Sequence, residues 1–175
     1  MDALYFIVDS ILTFAVYAFL LRVILQLSRA DFRNPLAQAV VALTNWLVLP
    51  LRRVLPPVGR FDTASFVALI AVQLVATLIL FRLRTGALFP LAPLAVEALR
   101  SLALATLLLY TILVFVYAAL SFIAPGARSP ATALLASTCE PVLRPLRQVL
   151  PVVGGIDFSP LVAIVALTAL RILIG

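Results

Sequence analysis

Residues 4–27 read LYFIVDSILTFAVYAFLLRVILQL, an apolar run with few polar interruptions. A helix needs about 20 mostly apolar residues to cross the hydrocarbon core of a bilayer. Because backbone groups in lipid must pair within their own segment, this run predicts a membrane-spanning helix. The acid Asp2 stands where a cleavable signal peptide carries basic residues, so we expect the run to be retained.

Three further apolar runs lie along the chain, at residues 64–83, 94–124 and 158–174. Of the 175 residues, 65% are hydrophobic and 11% are charged, whereas soluble domains are about half apolar and about a quarter charged. A chain this short cannot bury such an excess in a water-soluble core. The sequence therefore predicts an all-α integral membrane protein with four transmembrane helices, the third entering the membrane near Leu102.

The two long segments between these runs are themselves partly apolar. Residues 35–51 form an apolar run too short to span, a length typical of interfacial or re-entrant segments. Glu140 and Arg144, in the second long segment, have the i,i+4 spacing of an ion pair. Five polar side chains of that segment fall near one face of an amphipathic helix: Ser137, Glu140, Arg144, Arg147 and Gln148.

Prolines stand inside both long segments, Pro50 in the first and Pro141 with Pro145 in the second. A proline in a helix removes one hydrogen bond and clashes with the preceding turn, so Pro141 and Pro145 should break or kink any helix there. We therefore expect each segment to form a short amphipathic helix, interfacial or re-entrant, followed by a proline break and a turn.

All thirteen cations are arginines, and the two long segments hold most of them. The first segment contains Arg29, Arg33, Arg52, Arg53 and Arg60, and the second contains Arg128, Arg144 and Arg147. The positive-inside rule then places both segments in the cytoplasm and both termini outside. Within the apolar runs, we expect Arg22 to snorkel toward the interface and Gln73 to face another helix.

One half of the chain repeats the other at an offset of 95 residues, and we call residues 95 apart matched positions. The identities are Pro35 with Pro130, Pro50 with Pro145, Leu51-Arg52 with Leu146-Arg147, Val54-Leu55-Pro56 with Val149-Leu150-Pro151, Gly59 with Gly154, and Asp62 with Asp157. Several identities at one offset indicate a duplicated unit. We predict two tandem two-span repeats, residues 1–84 and 96–175, joined by a short outer loop at residues 85–95.

The most distinctive motif lies in the second copy. It reads Glu140-Pro141-Val142-Leu143-Arg144-Pro145-Leu146-Arg147, then Leu150-Pro151 and Gly154-Gly155-Ile156-Asp157-Phe158-Ser159-Pro160. This run resembles the signature of the YggT family. The first copy has a reduced version, Leu49-Pro50-Leu51-Arg52-Arg53-Val54-Leu55-Pro56-Pro57 followed by Gly59 and Phe61-Asp62, with Asn45-Trp46 where the second copy has its Glu-Pro pair.

The resemblance implies an inner-membrane scaffold or an assembly and stress-resistance factor. YggT-like proteins are associated with resistance to osmotic stress, with bacterial division and membrane organisation, and in plastid relatives with cytochrome maturation.

Residue types that carry catalysis or bind metals are scarce. The chain has no His, and Cys139 is its single Cys. No Gly-rich phosphate loop and no nucleophile with an adjacent base can be recognised. We therefore predict no enzymatic activity, no cofactor and no metal site. The arginines lie between apolar segments rather than in a solvated patch with aromatic residues, which favours anionic lipid over nucleic acid as their partner.

Two Arg-Asp pairs are the candidate functional residues, Arg52 with Asp62 and Arg147 with Asp157, together with Arg144. In a structural account, the acids cap the following spans and pair with the arginines. In a functional account, the pairs form a cytoplasmic polar centre that docks another membrane protein, a second copy of the chain or an anionic lipid headgroup. The functional account predicts that Arg147→Ala impairs function more than Arg144→Ala.

An oligomeric ion channel or transporter linked to osmotic stress is the alternative functional hypothesis. Duplicated membrane proteins often place a transport site between their repeats. Gln73 and its matched position Thr168 are the polar residues within spans that would support it. Because four spans leave little room for a lined pathway in a monomer, and charges within spans are scarce, the scaffold hypothesis is preferred.

Overall fold

The computed structural model describes residues 2–57, 59, 62–87, 90–123, 126, 129–150 and 157–175. Within these ranges every regular element is a helix, which confirms the predicted all-α class. The helices are α1 Asp2–Leu27, α2 Pro35–Val54, α3 Thr63–Thr85, α4 Leu91–Ile123, α5 Pro130–Val149 and α6 Ser159–Ile174.

Three helices are long and apolar enough to cross a bilayer, with candidate spans Ala3–Leu27, Thr63–Thr85 and Pro93–Ile123. The apolar helix α6 has only 16 residues. At 1.5 Å per residue it rises about 24 Å, short of the roughly 30 Å of hydrocarbon in a typical bilayer. The apolar helices make the chain a membrane protein, while a fourth span stays a prediction.

Large apolar side chains point outward from these helices. Phe6 and Phe14 of α1 are 69% and 63% exposed, and Phe115 of α4 is 62% exposed. Soluble monomers rarely expose apolar patches that are this extensive. Such apolar faces suit contact with lipid. The excess of hydrophobic residues in the composition therefore lies on the outer surface of the helices.

The amphipathic helices α2 and α5 begin in the same way. Each has a proline as its first residue, Pro35 or Pro130, where a missing N–H costs no helical hydrogen bond. The Ser129 Oγ caps α5 by accepting from a backbone amide of the first turn at 3.1 Å. The Asn34 Oδ1 accepts from a first-turn amide of α2 at 2.9 Å. These caps explain why both helices start at matched positions.

The predicted proline breaks are wrong. Helix α2 continues through Pro50, and α5 continues through Pro141 and Pro145, so that each helix is 20 residues long. All three prolines are exposed. Each leaves the carbonyl four residues earlier without its helical donor, and that carbonyl lies on the same outer face as the proline. Water or polar headgroups can satisfy a carbonyl there, which allows the helix to continue.

Packing divides the chain into two units, each considered by itself. The first unit comprises residues 1–23 and 40–103, and the second comprises residues 24–39 and 104–175. The repeat boundaries predicted from the sequence stay a prediction.

The cores of the two units use matched positions. Four residues are buried together in the second unit: Val114, Cys139, Leu143 and Ala163. The matched positions of the first unit are buried as well: Phe19, Thr44, Val48 and Ala68. The sequence repeat is thus accompanied by a repeated pattern of burial.

Candidate functional site

Arg147, near the end of α5, is the centre of a polar cluster in the second unit. Its Nε donates to Asp157 Oδ2 at 2.9 Å, and its Nη1 donates to Glu140 Oε2 at 3.2 Å. Its Nη2 lies 3.4 Å from the Tyr117 hydroxyl, and the guanidinium carbon lies 5.9 Å from the centroid of that ring. One guanidinium therefore joins α5 to α4 and to the segment that enters α6. We call these four residues the second polar centre.

Local chain geometry brings these residues together. Glu140 and Arg147 are seven residues apart, about two helical turns, so they lie on one face of α5. Asp157 lies just before α6, where its Oδ1 accepts from the Ser159 amide at 2.9 Å. The carboxylate thus satisfies the first amide of α6 with one oxygen and Arg147 with the other.

The electrostatics keep this ion pair charged. Burial alone raises the pKa of Asp157, but hydrogen bonding by Ser159 and Arg147 outweighs burial and holds that pKa below its ordinary value. Burial alone lowers the pKa of Arg147, but its interactions with Tyr117 and Asp157 raise that pKa above its ordinary value. The second polar centre contains one formal positive charge and two formal negative charges.

Arg144 lies outside this cluster. Its spacing from Glu140 predicted an ion pair, but Glu140 contacts Arg147 instead. Arg144 is exposed and has no ion pair among the residues that the structure describes. Asp157 already orients Arg147, so Glu140 joins an existing network when it contacts Arg147. An isolated, exposed pair between Glu140 and Arg144 would contribute little stability.

A second Arg-Asp pair occupies the matched positions of the first unit. The Arg52 Nε donates to Asp62 Oδ1 at 3.3 Å, and its Nη2 donates to the other carboxylate oxygen, so the pair is bidentate. The Ser65 hydroxyl also donates to Asp62, at 2.6 Å. Burial alone raises the pKa of Asp62, but hydrogen bonding by Arg52 and Ser65 outweighs it, so that the pKa is lowered.

Asp62 does not cap α3 in the way the sequence predicted. It stands at the N-cap position, but its side chain makes no capping hydrogen bond to the backbone. The reason is competition, since the carboxylate oxygens are engaged by Arg52 and Ser65. The pair therefore ties the end of α2 to the start of α3.

Arg22 contacts a neighbouring helix rather than open solvent, and its position relative to the membrane interface stays a prediction. Its side chain is buried, with the residue 3% exposed. The Nη1 donates to Thr44 Oγ1 at 2.7 Å, to Asn45 Oδ1 at 3.0 Å and to the Val41 carbonyl at 3.4 Å. These acceptors on α2 replace the water that the guanidinium would otherwise reach. We call the following residues the first polar centre: Arg22, Thr44, Asn45, Arg52 and Asp62.

Comparison with known proteins shows the family of this chain. A family model described as CCB3/YggT matches residues 1–83 and 96–175. The chain belongs to this family. The resemblance read from the motif is thereby confirmed, and that motif supplies both Arg-Asp pairs.

Individual YggT-family relatives cover most of the chain. The protein named "Uncharacterized protein YggT" from Escherichia coli strain K12 is 33% identical over 167 residues, which is 95% of this chain and 86% of that protein. An uncharacterized protein of Pseudomonas aeruginosa is 38% identical over 159 residues, which is 89% of this chain and 79% of the relative. No solved structure matches the chain.

The structure adds residues to the two polar centres that the predicted Arg-Asp pairs did not include. Tyr117 and Glu140 join Arg147, and Asn45 holds Arg22. The 95-residue offset could have indicated these contacts, because Arg22 matches Tyr117 and Asn45 matches Glu140. Among the residues of the predicted cytoplasmic segments and of the motif, several lie outside the described ranges: Arg60, Phe61, Arg128 and residues 151–156.

An open groove of about 700 Å³ adjoins the second polar centre. Tyr117, Arg147 and Asp157 provide the charged or aromatic polar groups of its lining. The rest of the lining is mostly apolar: Ala118, Phe122, Phe158, Pro160, Leu161 and Ile164. An apolar wall beside an ion-paired centre suits contact with another membrane component.

Metal-binding and nucleophilic groups are sparse in the part of the chain that the structure describes. Its described residues form no group of three or more His, Cys, Asp or Glu side chains. Burial raises the pKa of the Cys139 thiol to about 11, although the nearby Arg147 lowers it. The thiol is therefore protonated at neutral pH and is a poor nucleophile.

Proposed function

We propose that this YggT-family protein is a bacterial inner-membrane scaffold, or an assembly and stress-resistance factor, that binds another membrane protein through α5. The observation that carries the proposal is the two-sided character of this helix. Cys139 and Leu143 are buried on its inner side, while the outer side exposes Glu140, Arg144 and Gln148. We call these three exposed residues the α5 stripe.

The spacing of the α5 stripe supports a recognition role. Its members are four residues apart, so they form one row along the helix. Cys139 and Leu143, on the other side of α5, are 0% and 1% exposed. The buried side of α5 therefore packs against the core. The α5 stripe faces outward and takes no part in that core packing.

The charge of the stripe indicates the chemistry of the partner. Arg144 has no ion pair within the described ranges, and its fork of N–H donors matches a carboxylate. Glu140 already shares its charge with Arg147. The partner that fits is therefore an acidic cytoplasmic segment of another membrane protein.

The proposal includes a membrane topology. Four spans would place α2 and α5 at the cytoplasmic interface and both termini outside, in agreement with the arginine distribution. Helix α6 is short for a span, but a bilayer can thin locally around a short helix at a modest cost. At the interface, the α5 stripe would stand where cytoplasmic segments of neighbouring membrane proteins emerge.

The channel or transporter hypothesis has less support. Gln73 is 7% exposed, and its amide donates to the Thr77 hydroxyl of the same helix at 3.2 Å. The matched Thr168 is exposed on α6. A span amide that bonds within its own helix gives no sign of a lined pathway, so Gln73 adds no support for transport.

Photo-crosslinking in intact cells tests the scaffold proposal. A photoreactive residue at Gln148 samples the end of the stripe, and the same residue at the matched Arg53 on α2 is the control. We expect a discrete protein adduct from position 148. Arg147→Ala should abolish the adduct because α5 loses its anchor, whereas Arg144→Ala should only weaken it.

Two outcomes would contradict this proposal. One is that position 148 yields only lipid adducts, or only adducts between copies of the chain. The other is that Arg147→Ala leaves the adduct unchanged at wild-type protein levels. Growth of a deletion strain under osmotic stress gives a second readout, in which Arg147→Ala should impair complementation more than Arg144→Ala.

A further inference from the structure

The Arg22 guanidinium is buried beside groups that do not neutralise it. Its residue is 3% exposed, and its hydrogen-bond acceptors are a hydroxyl, an amide oxygen and a backbone carbonyl. All three acceptors are uncharged. An arginine stays protonated in proteins, so the charge is present whatever the cellular pH. A buried charge without a counter-charge is costly, and such a position calls for an anion.

The hydrogen-bonding capacity of Arg22 is only partly used. A guanidinium has five N–H donors. The three bonds to Thr44, Asn45 and Val41 all involve Nη1. Within the described ranges, no hydrogen bond engages the Nε or Nη2 of Arg22, which together have three N–H groups. These donors can form a bidentate pair of hydrogen bonds with a phosphate or a carboxylate.

Neighbouring charges do not cancel the charge of Arg22. It interacts electrostatically with Arg52, which repels it, and with Asp62, which attracts it. Asp62, however, is bound by Arg52 in a bidentate pair. Two guanidiniums and one carboxylate leave the first polar centre with one net positive charge.

We propose that Arg22 forms the heart of a phosphate-binding site in the first unit, which accepts the phosphate of a phospholipid headgroup or a free phosphate. Arg22 stands five residues before the end of α1, a rise of about 7.5 Å. That depth is close to the interface at which phospholipid phosphates lie. The site goes beyond the scaffold function and does not depend on it.

Native mass spectrometry of the purified full chain, released from detergent, tests the proposal. The probes are phosphatidylglycerol and, as its phosphate-free counterpart, diacylglycerol with the same acyl chains. Thermal unfolding with added inorganic phosphate tests the free ion. We expect wild type to retain one phosphatidylglycerol and no diacylglycerol. Arg22→Gln should reduce retention by about tenfold or more, the effect of losing charge-assisted hydrogen bonds. Arg53→Gln removes an exposed arginine of the same unit and should leave retention unchanged.

A second variant keeps the test informative if Arg22→Gln fails to fold. Asn45→Asp places a carboxylate where the amide oxygen stands, 3.0 Å from Nη1. This internal counter-charge should raise the unfolding temperature and abolish phosphatidylglycerol retention together. A purely structural role for Arg22 predicts the rise in stability without the loss of lipid.

The results separate the two phosphate sources. An Arg22-dependent shift with inorganic phosphate alone assigns the site to the free ion, and retention of phosphatidylglycerol without such a shift assigns it to lipid. Equal retention of phosphatidylglycerol and diacylglycerol, or unchanged retention in Asn45→Asp, would overturn the proposal.

Discussion

The two polar centres are built on one plan but have opposite charge. Both contain an Arg-Asp pair at matched positions, Arg52 with Asp62 and Arg147 with Asp157. Around this pair the first centre has a second cation, Arg22, while the second centre has a second anion. The first centre is therefore net positive and the second is net negative.

The exchange of two matched residues produces this difference. Arg22 of the first unit matches Tyr117 of the second, and Asn45 matches Glu140. In the first unit, Arg22 points at Asn45 on the amphipathic helix. In the second unit, Tyr117 and Glu140 both contact the arginine of the shared pair. The shared pair is thus part of the common architecture, and the residues around it give the two centres opposite net charge.

Each amphipathic helix buries one apolar residue in the core of its unit, at matched positions. Truncating this residue should have the largest effect on the free energy of unfolding. Leu143 is 1% exposed and packs in the second core, and the matched Val48 is 0% exposed. Leu143→Ala should destabilise the protein by about 2–5 kcal/mol, because it leaves a cavity. Val48→Ala removes fewer atoms and should cost about 1–2 kcal/mol. Unfolding of the purified protein in detergent measures both.

Arg144→Ala is the control for these core variants, since Arg144 is exposed next to Leu143 and should change stability by less than about 0.5 kcal/mol. A smaller loss for Leu143→Ala than for Arg144→Ala would show that α5 is not held by this core.

The next effect compares the two arginines of the shared pair. Arg147 contacts two carboxylates and a tyrosine, whereas Arg52 contacts one carboxylate. Arg147→Ala should therefore cost about 1 kcal/mol, and Arg52→Ala about 0.5 kcal/mol, because exposed ion pairs contribute about 0.2–1 kcal/mol each. The same unfolding assay measures the order. The reverse order would contradict the idea that the second centre is the more connected of the two.

Removing a helix cap should have an effect of intermediate size on stability. Ser129 and Asn34 begin α5 and α2 at matched positions, and Ser129→Ala should cost about 1 kcal/mol. The Asn34 Nδ2 also donates to the Pro130 carbonyl at 2.6 Å. Asn34→Ala removes this bond as well and should be the more harmful of the two. Hydrogen exchange in the first turn of each helix would report the loss, and equal protection in both variants would contradict it.

Acid should have the smallest effect on stability, and Asp62 and Asp157 should contribute to it unequally. Both have a lowered pKa in the folded protein, so the stability they provide is complete at neutral pH. That stability is lost as the pH falls below the ordinary carboxyl value of about 3.9 and through the lowered folded value. Asp62→Asn should remove more of this acid sensitivity than Asp157→Asn, because the side chain of Asp62 is 16% exposed and that of Asp157 is 37% exposed.

The measurement for this last prediction is unfolding followed from pH 7 down to about pH 2, so that the scan passes through the lowered pKa values. If both asparagine variants kept the full acid sensitivity of wild type, the aspartates would not be the groups responsible.

Sequence reasoning succeeded where a local pattern is sufficient. The apolar runs predicted α1, α3, α4 and α6, because backbone hydrogen bonding and hydropathy act within a segment. The Arg-Asp pairs could also be predicted, since each joins residues only ten apart in the chain. The predicted breaks at Pro50, Pro141 and Pro145 failed, because the cost of a proline depends on whether its face of the helix is exposed.

The environment of Arg22 could not be predicted from its own segment. A long arginine near the end of an apolar helix usually reaches the interface. Whether it does so depends on what another helix offers, here the Thr44 hydroxyl and the Asn45 amide 22 and 23 residues later. The ion pair of Glu140 was misassigned for the same reason, because Asp157 draws Arg147 into place from outside the helix.

The sequence by itself determined the apolar helices, the duplication and the family, since these follow from composition, spacing and identity along the chain. The tertiary structure alone decided the charge environment of each polar centre. Hydrophobic patterning acts over a few turns of one helix, whereas the fate of a charge depends on which groups other segments bring within about 3 Å of it. That is why two copies of one unit end with a net positive centre in one and a net negative centre in the other.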